Sequence, residues 1–464
     1  MHRTRRRWSS RIMAAAVVAV AAGGVTSMGP AQAATPSRSY TGTLSDGADW
    51  MADVPAAWNG TLILFSHGYG PLQAQDAPDP ATKKELLAEG YALAGSSYSG
   101  PSMWALQSAV NDQFASLRAV QDKIGHPQRT IAWGRSMGGL VSALETQDPR
   151  HQVDGTLTTC GLVGGALNLN NYQLDGEYAA SRLLAPEQKI QLVGYRTPQQ
   201  ASTALDALNT ATSAAQNSPQ GRARIALAAA LINEPTWYSG QAAPDPHDYA
   251  AQEAQQEQTL VGPGFSRYVT GRQQIELSAG GNSAYTAGVD YRALLNSSSH
   301  TTEVRALYKQ GGLDLNADLS TLTRDADIHA DPRAVASLTR TSMATGHLGV
   351  PELDIHTTSD QLVPVEQENW YAQRVAQAGD SHLLRQAYVQ GTGHCAFQPA
   401  EQIAALHALE HRLDTGRWDN AARPTELNAA ATALNLGTTP RYAPFHAPRL
   451  VGGLGEPGRD RLRH

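Results

Sequence analysis

The stretch TIAWGRSMGGLVSALETQ, residues 130–147, constrains this chain more than any other. It begins apolar and β-leaning, crowds with glycine in its middle and ends as a helix. Ser136 stands at the bend, between Gly134 and Gly138. A strand that turns into a helix over one serine reads as a nucleophile elbow. Small neighbours let the two elements approach, and the turn lifts the hydroxyl above the sheet. Five-residue patterns of this kind also occur as plain glycine turns, so the flanking strand and helix carry the weight.

Those flanks belong to a longer rhythm. GTLILFSHGYG is a continuous apolar run closed by glycines, as a strand buried on both faces should be. DPATKKELLAEG reads as a helix with Pro80 near its start and Gly90 at its end. YALAGSSYSG is the next strand. Residues 103–125 then read as one long helix with Leu106, Val110, Phe114, Leu117 and Val120 on one face. DGTLTTCG follows the elbow helix as another strand. Beyond residue 349 the pattern resumes, with VPELDIHTTSD and LLRQAYVQGTGHC as strands and PVEQENWYAQRVAQAG and PAEQIAALHALEHRLDTG as helices. Alternation of this kind predicts a mostly parallel α/β sheet with helices on both faces. Residues 35–60 add an antiparallel hairpin at its edge.

Between these halves the rhythm breaks. Residues 162–349 are rich in Ala, Gln, Asn and Ser and read as helices alone. An insertion of this size between two sheet strands is expected to be a helical cap over a core made of residues 34–161 and 350–437. The alternative is a subdomain that only thickens the scaffold. Residues 438–464, rich in Pro, Gly and Arg, are expected to form a loosely ordered tail.

Composition works by exclusion. The chain of 464 residues is 41% hydrophobic and 17% charged, enough for a sizeable core. A net charge of −6 offers no footprint for nucleic acid and no polybasic patch for a membrane surface. The cationic MHRTRRRWSS, the apolar IMAAAVVAVAAGGV and the small-residue AQA make an export signal over residues 1–33, cleaved near Ala33. Its apolar run is too short for a good membrane span, so a secreted protein without a stable anchor is expected. No histidine or carboxylate spacing suggests a metal.

A serine hydroxyl needs a base, and the base needs an orienting carboxylate. Both should follow the serine in the order acid then histidine, each just past a strand. Asp360 closes PELDIHTTSD, and His394 lies in the glycine-flanked GTGHC. The competitors fit less well. His407 and His411 fall in the last amphipathic helix, His382 precedes its strand, Asp354 lies inside a strand and Glu366 inside a helix. The oxyanion donors are expected to be the backbone N–H groups of Met137 and of Tyr69, the latter freed to turn by Gly68.

HGYG, GRSMGG, TTSDQLVP and GTGHC together resemble the four signature loops of the α/β-hydrolase superfamily, in that family's order. The resemblance covers about residues 40–161 and 350–415. It implies a sheet of about eight strands, a Ser136–Asp360–His394 triad and no cofactor. A serine at the elbow separates the chain from the epoxide hydrolase and dehalogenase branches, which use an aspartate. Cys160 ends the strand after the elbow helix and Cys395 follows His394, so both fall at the carboxyl edge of the sheet. A disulfide pinning the histidine loop is expected there, against the alternative of two buried thiols.

The implied activity is cleavage of a small-molecule carboxylic ester through an acyl-enzyme. Trp104, Arg135, Trp237 and the tyrosines of the insertion are candidate substrate contacts. The same machinery could serve a serine exopeptidase or amidase, or an enzyme that transfers or cyclises an acyl group on a natural product. An exopeptidase would need a carboxylate or aromatic cradle in the insertion for a substrate amine, and its acids, such as Asp175, Glu177, Glu253 and Glu257, do not single out a site. A binding protein without turnover is the reading from a different class.

Overall fold

A computed structural model describes residues 38–459. The expected export signal lies outside the described residues. Nine strands form one sheet among them: β1 (Arg38–Thr43), β2 (Asp49–Val54), β3 (Thr61–Ser66), β4 (Ala92–Ser96), β5 (Arg129–Arg135), β6 (Gly155–Thr159), β7 (Glu352–Ser359), β8 (Leu384–Thr392) and β9 (Tyr442–Ala443). Their order is β1-β2-β4-β3-β5-β6-β7-β8-β9. The strands from β4 to β8 run parallel, while the pairs β1–β2, β2–β4 and β8–β9 are antiparallel. This is the α/β-hydrolase fold expected from the signature loops, with one strand more than the eight they implied.

Side-chain alternation along β3 shows why the sheet is covered twice. Leu62 and Leu64 pack with Phe114, Leu117 and Val120 of the helix Ala109–Ile124. Ile63 and Phe65 point the other way, onto Leu86, Ile403, Leu406 and Leu409 of two further helices. Each such side chain removed from water contributes about 1.5–3 kcal/mol. The chain leaves β3 for β4 on one side and reaches β5 on the other. The carboxyl ends of β3 and β5 therefore flank a crevice where the strand order reverses, the place where such sheets bind ligands.

Between β6 and β7 the described chain is helical, from Gly165–Leu184 to Pro332–Thr341. The first of these helices is buried along almost its whole length, with Pro198–Ala215, Pro219–Ala230 and Phe265–Ala279 packed against it. Two ion pairs with fully buried side chains hold this part together. Arg272 meets Glu177 at 2.5 Å, and Arg459 meets Asp175 at 2.5 Å.

Two expectations need correction. Residues 438–459 are not a loose tail. β9 pairs with β8, Leu450 and Val451 are buried, and Arg459 is sealed inside against Asp175 and the Tyr285 carbonyl. The Pro- and Gly-rich composition thus builds an ordered non-regular strap. The long helix expected from residue 103 begins at Ala109. The segment before it is drawn to the insertion instead: Ser102 Oγ donates to the Gln274 carbonyl at 2.8 Å, and the Met103 N–H to Gln274 Oε1 at 3.2 Å.

Candidate active site

β5 ends at Arg135 and the next helix starts at Met137, so Ser136 alone makes the turn, with φ 59° and ψ −123°. Such a backbone costs on the order of 1–3 kcal/mol and persists only where its surroundings impose it. Here they do. A Cβ on Gly134 would lie 1.9 Å from the Gly138 carbonyl oxygen, and one on Gly138 would lie 1.9 Å from that of Ser66. A serine at a helix N-cap ordinarily caps the helix with its hydroxyl. Ser136 makes no such bond. Its Oγ lies 2.7 Å from His394 Nε2 instead.

His394 is carried by the loop after β8, and its Nδ1 lies 2.8 Å from Asp360 Oδ2. Asp360 follows β7 and is fully buried. Its Oδ1 accepts the N–H groups of Leu362 and Val363, each at 2.9 Å. Burial would raise its pKa, but the charge of His394 and hydrogen bonds from His356 and His394 outweigh this and hold the carboxyl below its usual range. The three residues read from sequence are thus brought into one hydrogen-bonded line. The rejected groups lie elsewhere. Asp354 accepts from Thr158 at 2.6 Å, His407 meets Glu89 at 2.8 Å and His411 meets Asp419 at 3.2 Å.

Behind Asp360 lies a group that sequence reading missed. His356, in β7, is fully buried. Its Nδ1 is 3.1 Å from Glu368 Oε1, and its Nε2 is 2.9 Å from the Val363 carbonyl and 3.5 Å from Asp360 Oδ2. Desolvation disfavours its charge, but the bonds to Asp360 and Glu368 prevail and push its pKa up to about 10. Both ring nitrogens face acceptors, as an imidazolium requires. A histidine in a strand buried on both faces was itself the available signal, since its ring needs such partners.

The HGYG loop lies against the serine. A Cβ on Gly68 would come 3.1 Å from Ser136 Cβ and 3.6 Å from its Oγ. The Tyr98 hydroxyl donates to the His67 carbonyl at 3.1 Å, and the two rings stack at 4.2 Å, which fixes the loop from below. Cys160 and Cys395 form a disulfide with Cα atoms 5.3 Å apart, closing 235 residues of sequence beside His394. Cys160, His394 and Cys395 place three donor atoms within 4.8 Å of one another, but the two sulfurs are bonded to each other.

Two spaces open beside Ser136. One, of about 160 Å³, is walled by Trp104, Leu162, Leu169, Ile275 and Leu362, with Gln173 and Arg267 as polar members beside Tyr69, Ser136 and His394. The other, of about 250 Å³, holds Gln75 and Arg135. Trp104 thus stands where a substrate contact was expected. Arg135 faces the opposite flank, where its Nη1 donates to the Pro78 carbonyl at 3.0 Å. Trp237 lines neither space; its indole N–H donates to the Gln241 carbonyl. Asp175, Glu177, Glu253 and Glu257 also line neither. Arg267, Gly271 and Ile275 were not foreseen, because a helix face carries no motif.

No family model matches the chain. It is 29% identical over 431 residues to an o-phthalyl amidase of Xanthobacter agilis, covering 86% of this chain and 92% of that protein. Among solved structures it is similar to feruloyl esterase B from Aspergillus oryzae, with a TM-score of 0.40 and 12% identity over 81% of this chain and 80% of that one. It is also similar to the rice cell wall degrading esterase LipA from Xanthomonas oryzae, with a TM-score of 0.35 and 14% identity over 81% and 87% of the two chains. A third is the acylaminoacyl peptidase of Pyrococcus horikoshii, with a TM-score of 0.35 and 11% identity over 77% of this chain. The chain spans 37% of that peptidase's length.

Proposed function

We propose that the protein is a serine hydrolase that cleaves a small-molecule carboxylic ester or amide through an acyl-enzyme. The observation that carries this reading is the 2.7 Å approach of Ser136 Oγ to His394 Nε2, with Nδ1 held by Asp360 at 2.8 Å. His394 takes the hydroxyl proton as Ser136 Oγ attacks the acyl carbon. It returns that proton to the leaving alcohol or amine when the carbon–heteroatom bond breaks. A water, deprotonated by the same ring, then releases the acid and frees Ser136. Asp360 holds the donor tautomer and balances the imidazolium. The N–H groups of Tyr69 and Met137 receive the oxyanion, each worth about 3 kcal/mol of barrier. Among the described residues neither N–H is given to another group.

The 29% identity to an amidase supports counting amides with esters as substrates. Among the described residues no acidic side chain lines either space beside Ser136, so neither offers a carboxylate to the free substrate amine of an exopeptidase; the aromatic side chains there include Tyr69 and Trp104. The disulfide suits an exported protein in an oxidising compartment. No helix of the described residues is long and apolar enough to cross a membrane.

The test compares an aryl ester with its matched anilide. The wild type should turn over at least one of them and be labelled by a fluorophosphonate, while Ser136→Ala should do neither. A wild type that hydrolyses neither substrate and escapes labelling rejects the proposal. Analysis of the products with added alcohol shows whether acyl transfer competes with water.

A further inference from the structure

Asp360 faces two imidazoles through one oxygen. Its Oδ2 lies 2.8 Å from His394 Nδ1 and 3.5 Å from His356 Nε2, while its Oδ1 is taken by the N–H groups of Leu362 and Val363. The second imidazole is sealed away, since His356 and Glu368 are both fully buried. Glu368 accepts at both oxygens, at Oε1 from His356 Nδ1 at 3.1 Å and at Oε2 from Gln386 Nε2 at 2.7 Å. His356 therefore has an acceptor on each side, Glu368 at Nδ1 and the Val363 carbonyl at Nε2. Two such acceptors call for a proton on each ring nitrogen, and so for a cation. No step of acyl transfer uses that buried charge.

The other titratable groups around this pair lean toward their neutral forms. Glu352 and Asp354, earlier on β7, are pushed up by burial, and Asp354 further by the nearness of Glu368. Burial also raises Glu366, from the helix Glu366–Ala378, and Glu234, from the insertion. Tyr388, the partner of His356 across the sheet on β8, and Tyr172, on the helix Gly165–Leu184, are raised by burial as well. Asp360 alone among these groups is held low: burial raises it, but the charge of His394 and the bonds from His356 and His394 prevail. The charges that meet at His356 thus reduce to Glu368 behind it and Asp360 in front. With water excluded, each acts more strongly than it would at a surface.

We propose that His356 is a positioning residue that acts through Asp360: it stands as a cation against Oδ2, divides the pull of that carboxylate between two rings, and so frees His394 to serve as a base in mildly acidic surroundings. This rests on the hydrolase reading given above. Without the cation, the whole charge of Asp360 bears on His394, and its imidazolium holds the proton more firmly. Ser136 then finds its base occupied at the acid end of the range and unchanged at the alkaline end. A residue that only packed the loop would act alike at every pH.

The experiment follows the rate at which a fluorophosphonate labels Ser136 as pH is varied, because that step needs the base but no particular substrate. His356→Gln keeps a hydrogen-bond donor and carries no charge. It should be labelled at the wild-type rate near about pH 9 and about tenfold more slowly on the acid limb. A loss that is equal at every pH, or an unchanged profile, overturns the proposal. If the variant does not fold, the wild type decides. Its ring ¹⁵N spectrum should contain a solvent-shielded histidine with both nitrogens protonated at about pH 8, before and after labelling. The absence of such a ring overturns the proposal. A wild type that is labelled at no pH rejects the hydrolase reading, and the proposal falls with it; a labelled wild type whose profile His356→Gln copies rejects the proposal alone.

Discussion

Ser136, Asp360 and His394 stand at the ends of sheet strands, each held by a turn or a buried hydrogen bond, whereas Arg267, Gly271 and Ile275 stand along the middle of one helix. The first set is positioned by backbone: a strained φ, two glycines that admit no Cβ, a carboxylate that accepts two N–H groups. The second is positioned by how one helix is rotated as it packs. On the proposed hydrolase reading, the difference makes bond-breaking and selection separable. The sheet edge should govern kcat, and the helix face should govern which acyl group is accepted.

The hardest blow to this division falls on the sheet. Asp360→Asn should cut kcat by about 10⁴-fold with KM little changed, because the amide favours the wrong tautomer of His394. Steady-state kinetics on any substrate accepted by the wild type read this directly. If KM rises while kcat holds, the division is broken. Next comes Gly271→Leu, which fills open space on the helix face. It should lower kcat/KM for a benzoyl ester by roughly 10–200-fold and spare an acetyl ester. Equal losses on both esters would draw the insertion into the chemistry itself.

The smallest effect is expected at His356, and it sharpens the picture of the sheet edge. With a folded pKa of about 10 against roughly 6.5 unfolded, its charge contributes stability that is fully present below about pH 6.5 and is lost as pH rises toward 10. His356→Gln should therefore be less stable than wild type by about 1–3 kcal/mol at low pH, with the gap closing in alkali. Urea unfolding at pH 6 and at pH 10 measures both ends; a gap that is the same at both would show an uncharged ring.

The same division governs what could be read without coordinates. The strands flanking Ser136, Asp360 and His394 are short apolar runs that end in glycine or aspartate, and strand ends are local events. Asp360 was separable from Asp354 because one lies past the strand and the other within it. Cys160 and Cys395 followed once the strands were placed. The helical apolar spacing of residues 103–125 runs past the true helix start at Ala109, because Gln274, far away in sequence, draws the preceding segment out of the helix. Arg267 gave no sign of itself, because an arginine in a polar helix is ordinary until the packing shows what it faces. The strap at residues 438–459 was misjudged for a related reason: its order comes from partners on β8 and in the insertion, not from its own composition.

That strap has a consequence for how the molecule is made. Asp175 lies deep in the first helix after β6, and its buried charge is matched by Arg459, almost three hundred positions later in synthesis. Without Arg459 the buried Asp175 carboxylate loses its ion-pair partner, and breaking a buried pair in this way costs about 3–5 kcal/mol. Asp175 shares its helix with Leu169 and Gln173, so trimming only the last stretch of the strap should loosen a wall of the space beside Ser136 without touching it.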